Sequence, residues 1–409
     1  MISAAFCVLF GFSLLPGRKP LCMRFAERLS GGIMPDGAEE YCRRLTWIWF
    51  LVLLAASAAS CLALFGALPR AFMAVSPFVV PLVFAVELPV RRRRFSVTFH
   101  TSGSTGAAKT VVKAFETLAR EVAMHRDALG RQPEGTVVLS TVDPDHMYGR
   151  LWRVMLPKAL GVPCDEEVIM TPESLVAKMS AARHVFLVTT PSFLDRFTAY
   201  SDQYEVPRNC VEIVTSGALL TADVSARAER TFGVRPLEIF GSTETGGVAS
   251  RRQDGTTEGG MWRVFAPVRV GLSEGRLEVR SPFSFRRRYL MGDGVRLSAD
   301  ARSFELLGRM DRLVKINEQR VNLAEMEDRV RQLGYADCAL ARLSGAHGDF
   351  LGLVLVPKPG NARPSSLELR KEMLPVFPKG TVPRKFRFVD AIPRNTQGKV
   401  VTDEIAKMF

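Results

Sequence analysis

Between a short β-rich run, 97–100, and a helical run in which Phe115, Leu118, Val122, His125 and Leu129 recur on one face, the chain reads Thr101-Ser102-Gly103-Ser104-Thr105-Gly106-Ala107-Ala108-Lys109. A strand that turns through glycines and hydroxyls into a helix is a building unit of α/β sheets, and this passage constrains the fold more than any other. The glycines let the backbone curl so that its N–H groups converge. The hydroxyls add donors and Lys109 adds a point charge, which together make a cradle for phosphate. A nucleoside-triphosphatase P-loop needs glycine directly before the lysine, whereas Ala108 stands there and Gly103 and Gly106 are only three apart. The alternation continues: 136–142, 185–189 and 211–215 read as buried strands, 175–182 as a helix. In such a sheet, ligands are expected at the strand ends.

The texture changes near residue 310. Asn322 with Glu325 marks a capped helix start, 338–343 and 350–356 read as strands, and Ser365 with Glu368 repeats the capping pattern. The expected layout is a large α/β domain, 96–310, and a small C-terminal α+β lid domain, 311–409, with the hinge at Asp311. Ahead of them lies a membrane-associated region, 1–95.

That region carries six of the thirteen excess positive charges, gathered as Arg43-Arg44 and Arg91–Arg94 around apolar runs. This is the distribution of membrane flanks and not of a nucleic-acid groove, so no nucleic-acid partner is expected. Residues 45–68 contain no charge, and 24 residues at 1.5 Å each can cross a hydrocarbon core of about 30 Å. A second run, 71–86, is shorter and interrupted by Pro77 and Pro81. The expectation is an N-terminal transmembrane hairpin with helices at 45–68 and 71–90, both ends inside. The body is then cytoplasmic at a bacterial-type inner membrane; a buried core helix is the competing reading. Seven scattered cysteines without a Cys-x-x-Cys spacing argue against a disulfide framework or a zinc ribbon.

The loop 99–110 resembles the phosphate loop of the adenylate-forming (AMP-binding) superfamily, which includes acyl-CoA synthetases, aryl-CoA ligases and peptide-synthetase adenylation domains. Later motifs follow in that superfamily's order. Phe240-Gly241-Ser242-Thr243-Glu244-Thr245-Gly246-Gly247 resembles its aromatic-Gly-x-Thr-Glu segment, and Tyr289-Leu290-Met291-Gly292-Asp293 its Tyr-x-Thr-Gly-Asp. Gly308-Arg309-Met310-Asp311 resembles the hinge motif, and Pro393-Arg394-Asn395-Thr396-Gln397-Gly398-Lys399 the terminal lysine motif. The resemblance covers 97–409, about three quarters of the chain. Tyr41–Trp49 faintly resembles the end of a small membrane protein encoded beside carboxylate-activating enzymes in aryl-polyene-type clusters.

The resemblance implies an ATP- and Mg2+-dependent ligase. It would turn a carboxylic acid into its acyl- or aryl-AMP ester and pass the acyl group to a phosphopantetheine thiol, on an acyl carrier protein or CoA. Carboxylate and α-phosphate repel, so catalysis must consist mainly of positioning and charge neutralisation. By the resemblance, Thr101, Ser102, Gly103, Ser104, Thr105, Gly106 and Lys109 hold phosphates, Thr243 touches the α-phosphate and Glu244 binds Mg2+. Ser216, Gly217, Ala218, Phe240 and Gly241 bracket the adenine. Asp293 takes the ribose hydroxyls, Arg309 reaches phosphate or ribose, and Lys399 serves the adenylation step from the lid. His146, Tyr148 and Gly149 resemble the stretch lining the acid pocket, His146 being nearly as well read as a structural histidine.

Three departures stand out. Met291 replaces the usual threonine before Gly-Asp. Glu318 occupies a place where many members have the glycine that lets a pantetheine arm pass, which puts free CoA in doubt. The large domain is shortened at its N-terminus relative to the family. A non-catalytic membrane partner that retains the AMP-binding scaffold is therefore the alternative function.

Overall fold

The computed structural model describes residues 2–66, 68, 78, 82, 85–87, 89–102, 108–284, 286, 288–317, 319–345, 348–357, 363–378, 380–394, 400 and 402–409. The chain divides into two compact units. The first comprises 1–99, 111–260 and 281–287, the second 100–110, 261–280 and 288–409.

In the first unit, strands Thr136–Ser140, His184–Thr189, Cys210–Thr215 and Leu237–Ser242 run parallel in that order, and Gly246–Arg251 pairs antiparallel to the last. Helices Phe115–Leu129, Pro172–Ala181, Pro191–Ala199 and Ala222–Phe232 connect or cover them. The strands read as near-continuous apolar runs because both faces are buried: Val185, Phe186, Leu187 and Val188 are inaccessible to solvent. Three of the helices start at threonine caps, with Thr171, Thr190 and Thr221 accepting from the backbone N–H three residues on.

The N-terminal segment of the same unit contains helices Ile2–Ser13, Leu21–Leu29 and Ala38–Leu64. The first and third pack through Cys7, Phe10, Trp49 and Leu53, with the Phe10 and Trp49 rings 5.8 Å apart. Ala38–Leu64 is, by length and composition, the one described helix that can cross a membrane. It starts seven residues before the uncharged run. Glu39 and Glu40 sit in its first turn, where the helix dipole favours anions, and pair with Arg43 and Arg44 one turn on. Of the expected second helix, 71–90, only residues 78, 82, 85–87, 89 and 90 are described; the rest lies outside the described residues, so the hairpin is not established.

In the second unit, strands Trp262–Val264, Ser303–Arg309, Tyr289–Leu297, Arg276–Arg280 and Arg269–Ser273 form an antiparallel series in that spatial order. Its C-terminal portion combines the hairpin Leu313–Ile316/Gln319–Asn322 with helix Leu323–Gln332. Strands Asp337–Gly345, Gly348–Val356 and Lys385–Phe388 make a three-stranded sheet there. Ile316, Met326, Val330, Leu340, Leu353 and Met373 form the core of that portion. The expected caps are present. Asn322 accepts from the Ala324 and Glu325 N–H groups, and Ser365 and Glu368 form a reciprocal capping box over helix Ser366–Met373. Ser365→Ala removes the Oγ that receives the Glu368 N–H at 3.4 Å and is expected to cost about 1 kcal/mol, read as a lowered melting temperature.

Candidate active site

The carboxyl ends of the first unit's parallel strands collect three of the motif segments. The loop after Thr215 begins with Ser216, whose Oγ donates to the Ile239 carbonyl at 2.8 Å; Gly217, with φ +94°, and Ala218 are exposed beyond it. Met147–Gly149 follows His146. A side chain at Gly149 would put its Cβ 2.0 Å from the Asp143 carbonyl oxygen, so only glycine lets these backbones meet. Tyr148 Oη lies 2.8 Å from the Val214 carbonyl and 3.1 Å from that of Thr189, and its one proton ties together the ends of two strands. Burial raises this phenol well above its ordinary pKa, so the tie persists at any physiological pH. His146 is exposed.

The third segment is a locked turn. Ser242 N–H donates to Thr245 Oγ1 at 3.1 Å, Thr245 N–H donates to Ser242 Oγ at 3.2 Å, and Thr245 Oγ1 donates to the Gly246 carbonyl at 2.9 Å. These bonds use the flanking hydroxyls and present Thr243 and Glu244 half-exposed, with the half-buried Phe240 just before them. Gly241 must be glycine, because a Cβ there would lie 2.2 Å from the Gly246 carbonyl oxygen.

Within the second unit, antiparallel register sets Asp293 opposite Arg309. Asp293 is buried at 8% exposure, and a Cβ on Gly292 would come within 3.0 Å of the Arg309 guanidinium. Gly308 has φ +103°, and Asn322 Nδ2 sits 2.7 Å from where its Cβ would be while donating to the Leu307 carbonyl at 2.8 Å. The glycine of the Gly-Arg-x-Asp motif is thus required by backbone and by packing. Asp311 falls in the 3-10 turn Met310–Arg312.

Of the phosphate loop, Thr101 and Ser102 end one strand and Lys109 belongs to its partner, Ala108–Ala114; Gly103, Ser104, Thr105 and Gly106 lie outside the described residues. So do Lys399 and Glu318. Arg394 and Val400 form a β-bridge, and Arg394 Nη2 binds Asp337 Oδ2 at 2.6 Å. Next to Glu318, Asn317 adopts φ +47° and donates to the Gly380 carbonyl at 2.7 Å.

No group of three or more metal-ligating side chains occurs among the described residues. A lone, half-exposed Glu244 is the donor set that suits Mg2+, which takes one or two carboxylates together with substrate phosphates and water. Buried charges that carried no motif signal in the sequence include Lys113, Glu121 and the ion pair of Glu238 with Arg251. The clue available in the sequence was a charge on an apolar helix face, since Glu121 falls three residues after Leu118 and next to Val122 on the face they share.

The model of the AMP-binding enzyme family matches residues 79–271. A 4-coumarate–CoA ligase of Cereibacter sphaeroides is 29% identical over 307 residues, which span 74% of this chain and 69% of that protein. The phosphinothricin tripeptide synthetase PhsC of Streptomyces viridochromogenes is 35% identical over 115 residues, 28% of this chain and 10% of that one. The o-succinylbenzoate–CoA synthetase MenE of Bacillus subtilis, solved with ATP and magnesium ion, superposes with a TM-score of 0.65 at 16% identity. That match covers 76% of this chain and 69% of the other. The fold is therefore the adenylate-forming α/β fold, and the similarity to the AMP-binding enzyme model and to a 4-coumarate–CoA ligase indicates an AMP-forming acid ligase.

Proposed function

We propose that the chain activates a carboxylic acid as its acyl- or aryl-AMP ester and transfers the acyl group to a phosphopantetheine thiol. The observation that carries this reading is the Ser242–Thr245 lock, which holds Thr243 and Glu244 half-exposed at a strand end. Thr243 would donate to the α-phosphate. Glu244 would hold the Mg2+, which supplies charge neutralisation across the phosphates. Ser216–Ala218, Phe240 and Gly241 would bracket the adenine. Asp293, acceptor-only when ionised, would receive both ribose hydroxyls, with Arg309 beside it. The loop 101–109 would cradle the leaving pyrophosphate, and Lys399 would neutralise the charge that builds where carboxylate meets α-phosphate.

His146 and Gly149 would line the acid pocket. Tyr148 supports it from behind, since its hydroxyl is committed to two carbonyls. Glu318, in a place where the family often has glycine, and the partial likeness to a tripeptide synthetase favour a carrier-protein thiol over free CoA. We further propose that Ala38–Leu64 anchors the enzyme in a bacterial-type inner membrane, with the body cytoplasmic and 311–409 acting as a lid hinged at Asp311.

Acid-dependent exchange of labelled pyrophosphate into ATP tests the first half-reaction across aryl and aliphatic acids, and acyl transfer to carrier protein or to CoA tests the second. Exchange with at least one acid is expected. ATP binding without exchange for any acid would instead identify a non-catalytic scaffold.

A further inference from the structure

Lys113 and Glu121 lie in the interior of the first unit, with only 2% and 1% of their surfaces exposed. Burying either ion is costly, so a buried cation and a buried anion in one unit need a reason for being there. Lys113 is the last residue but one of the strand Ala108–Ala114, and its Nζ donates to Met147 Sδ at 3.8 Å, a weak acceptor at the start of the Met147–Gly149 turn. Burial pulls this ammonium's pKa down; the nearby Glu121 and then Glu244 carboxylates pull it back up. Glu121 in turn grips the end of the Thr243–Glu244 turn: its Oε1 accepts from the Gly247 N–H at 2.6 Å. Its Oε2 makes no hydrogen bond among the described residues. Gly246 has φ +73°, and a Cβ there would lie 2.5 Å from that same Oε2 and 2.7 Å from Phe283 Cβ. The backbone of the turn is thus pressed directly onto the carboxylate. One helical turn on, His125 Nε2 lies 3.9 Å from Glu121 Oε1, with its ring 4.4 Å from that of Trp152.

We propose that Lys113 and Glu121 are positioning residues, a buried brace that presets the Thr243–Glu244 turn for magnesium and nucleotide. Glu121 fixes where the turn ends. Lys113 is tied to the Met147–Gly149 turn through Met147 Sδ and supplies a buried positive charge that attracts both the Glu121 and the Glu244 carboxylates. The inference rests on the reading of Glu244 as the magnesium ligand given above.

The test measures ATP affinity by calorimetry with and without Mg2+ in the intact chain, so that it does not depend on turnover. The first variant is the double Lys113→Met/Glu121→Met, which removes both charges at similar volume and leaves no lone buried ion. The singles Glu121→Gln and Lys113→Met follow. Loss of a residue that orients a metal ligand costs about 10- to 100-fold in metal-linked affinity. The double variant is therefore expected to lose at least 10-fold in the Mg2+-dependent part of ATP binding while Mg2+-free binding stays near wild type. A folded double variant that binds MgATP as the wild type does overturns the brace. Glu244→Gln is the control: if it leaves the Mg2+ dependence unchanged, the reading of Glu244 fails and the brace falls with it, an outcome distinct from failure of the brace alone.

Discussion

Lys399→Ala is expected to lower acid-dependent pyrophosphate exchange by about 100- to 1,000-fold, the range for losing one preorganised donor at a developing charge. ATP binding should change by no more than a few-fold, because the phosphates retain the contacts proposed for Lys109 and the loop. The two half-reactions separate the explanation from a folding defect. The ammonium is needed while a carboxylate approaches the α-phosphate, so transfer from a supplied acyl-adenylate to the thiol should fall far less than exchange does. Lys399→Arg should not rescue, since a planar fork on a longer stem cannot place its charge at the same point. The substitution leaves the Arg394–Val400 bridge and the Arg394–Asp337 pair untouched, so the alanine variant is expected to fold normally. Exchange at wild-type rates in a folded Lys399→Ala protein would remove the lysine from the mechanism.

The α/β alternation was legible because parallel strands buried on both faces have apolar runs at their centres, as 185–188 is, and because threonine and serine caps mark helix starts. Boundaries were less so. The long N-terminal helix extends back to Ala38 because its charged residues pair one turn apart, while the sequence reading started it at the uncharged run. Glycines of the motifs explain themselves once the backbone is in place: Gly149, Gly241 and Gly308 each face an atom that excludes a Cβ. Pairing across the sheet was illegible. Asp293 meets Arg309 through strand register, and Glu121 reaches Gly247 across 126 residues of sequence, a separation that no local period encodes. Tyr148 shows the limit of motif reading, since an aromatic expected in the acid pocket uses its hydroxyl on the Thr189 and Val214 carbonyls.

Arg251→Met is expected to destabilise the first unit by about 3–5 kcal/mol, the cost of leaving a buried partner charge uncompensated. Arg251 Nε binds Glu238 Oε2 at 2.7 Å, with side chains only 7% and 1% exposed. Glu238 Oε1 accepts from the Leu220 N–H at 2.8 Å, while Arg251 donates to the Leu220 and Gly260 carbonyls. The pair therefore pins the far end of the Ser216–Leu220 loop as well as two strands. Burial raises the Glu238 pKa above its ordinary value of 4.5, and Arg251 opposes that rise. Without the guanidinium, Glu238 should be pushed higher still. A folded-state pKa above the unfolded one means that the protonated form's contribution is fully present below about pH 4.5 and is lost as pH rises through the folded value. The variant should thus be weakest relative to wild type near neutrality, and the gap should narrow on acidification toward pH 5. The double variant Arg251→Met/Glu238→Leu, which leaves no lone charge, should recover most of the loss. Chemical denaturation of the three proteins at pH 7 and at pH 5 reads all of this. A single variant whose deficit is unchanged between the two pH values, or a double variant as unstable as the single, would mean that the Arg251 packing, and not its charge on Glu238, holds the loop.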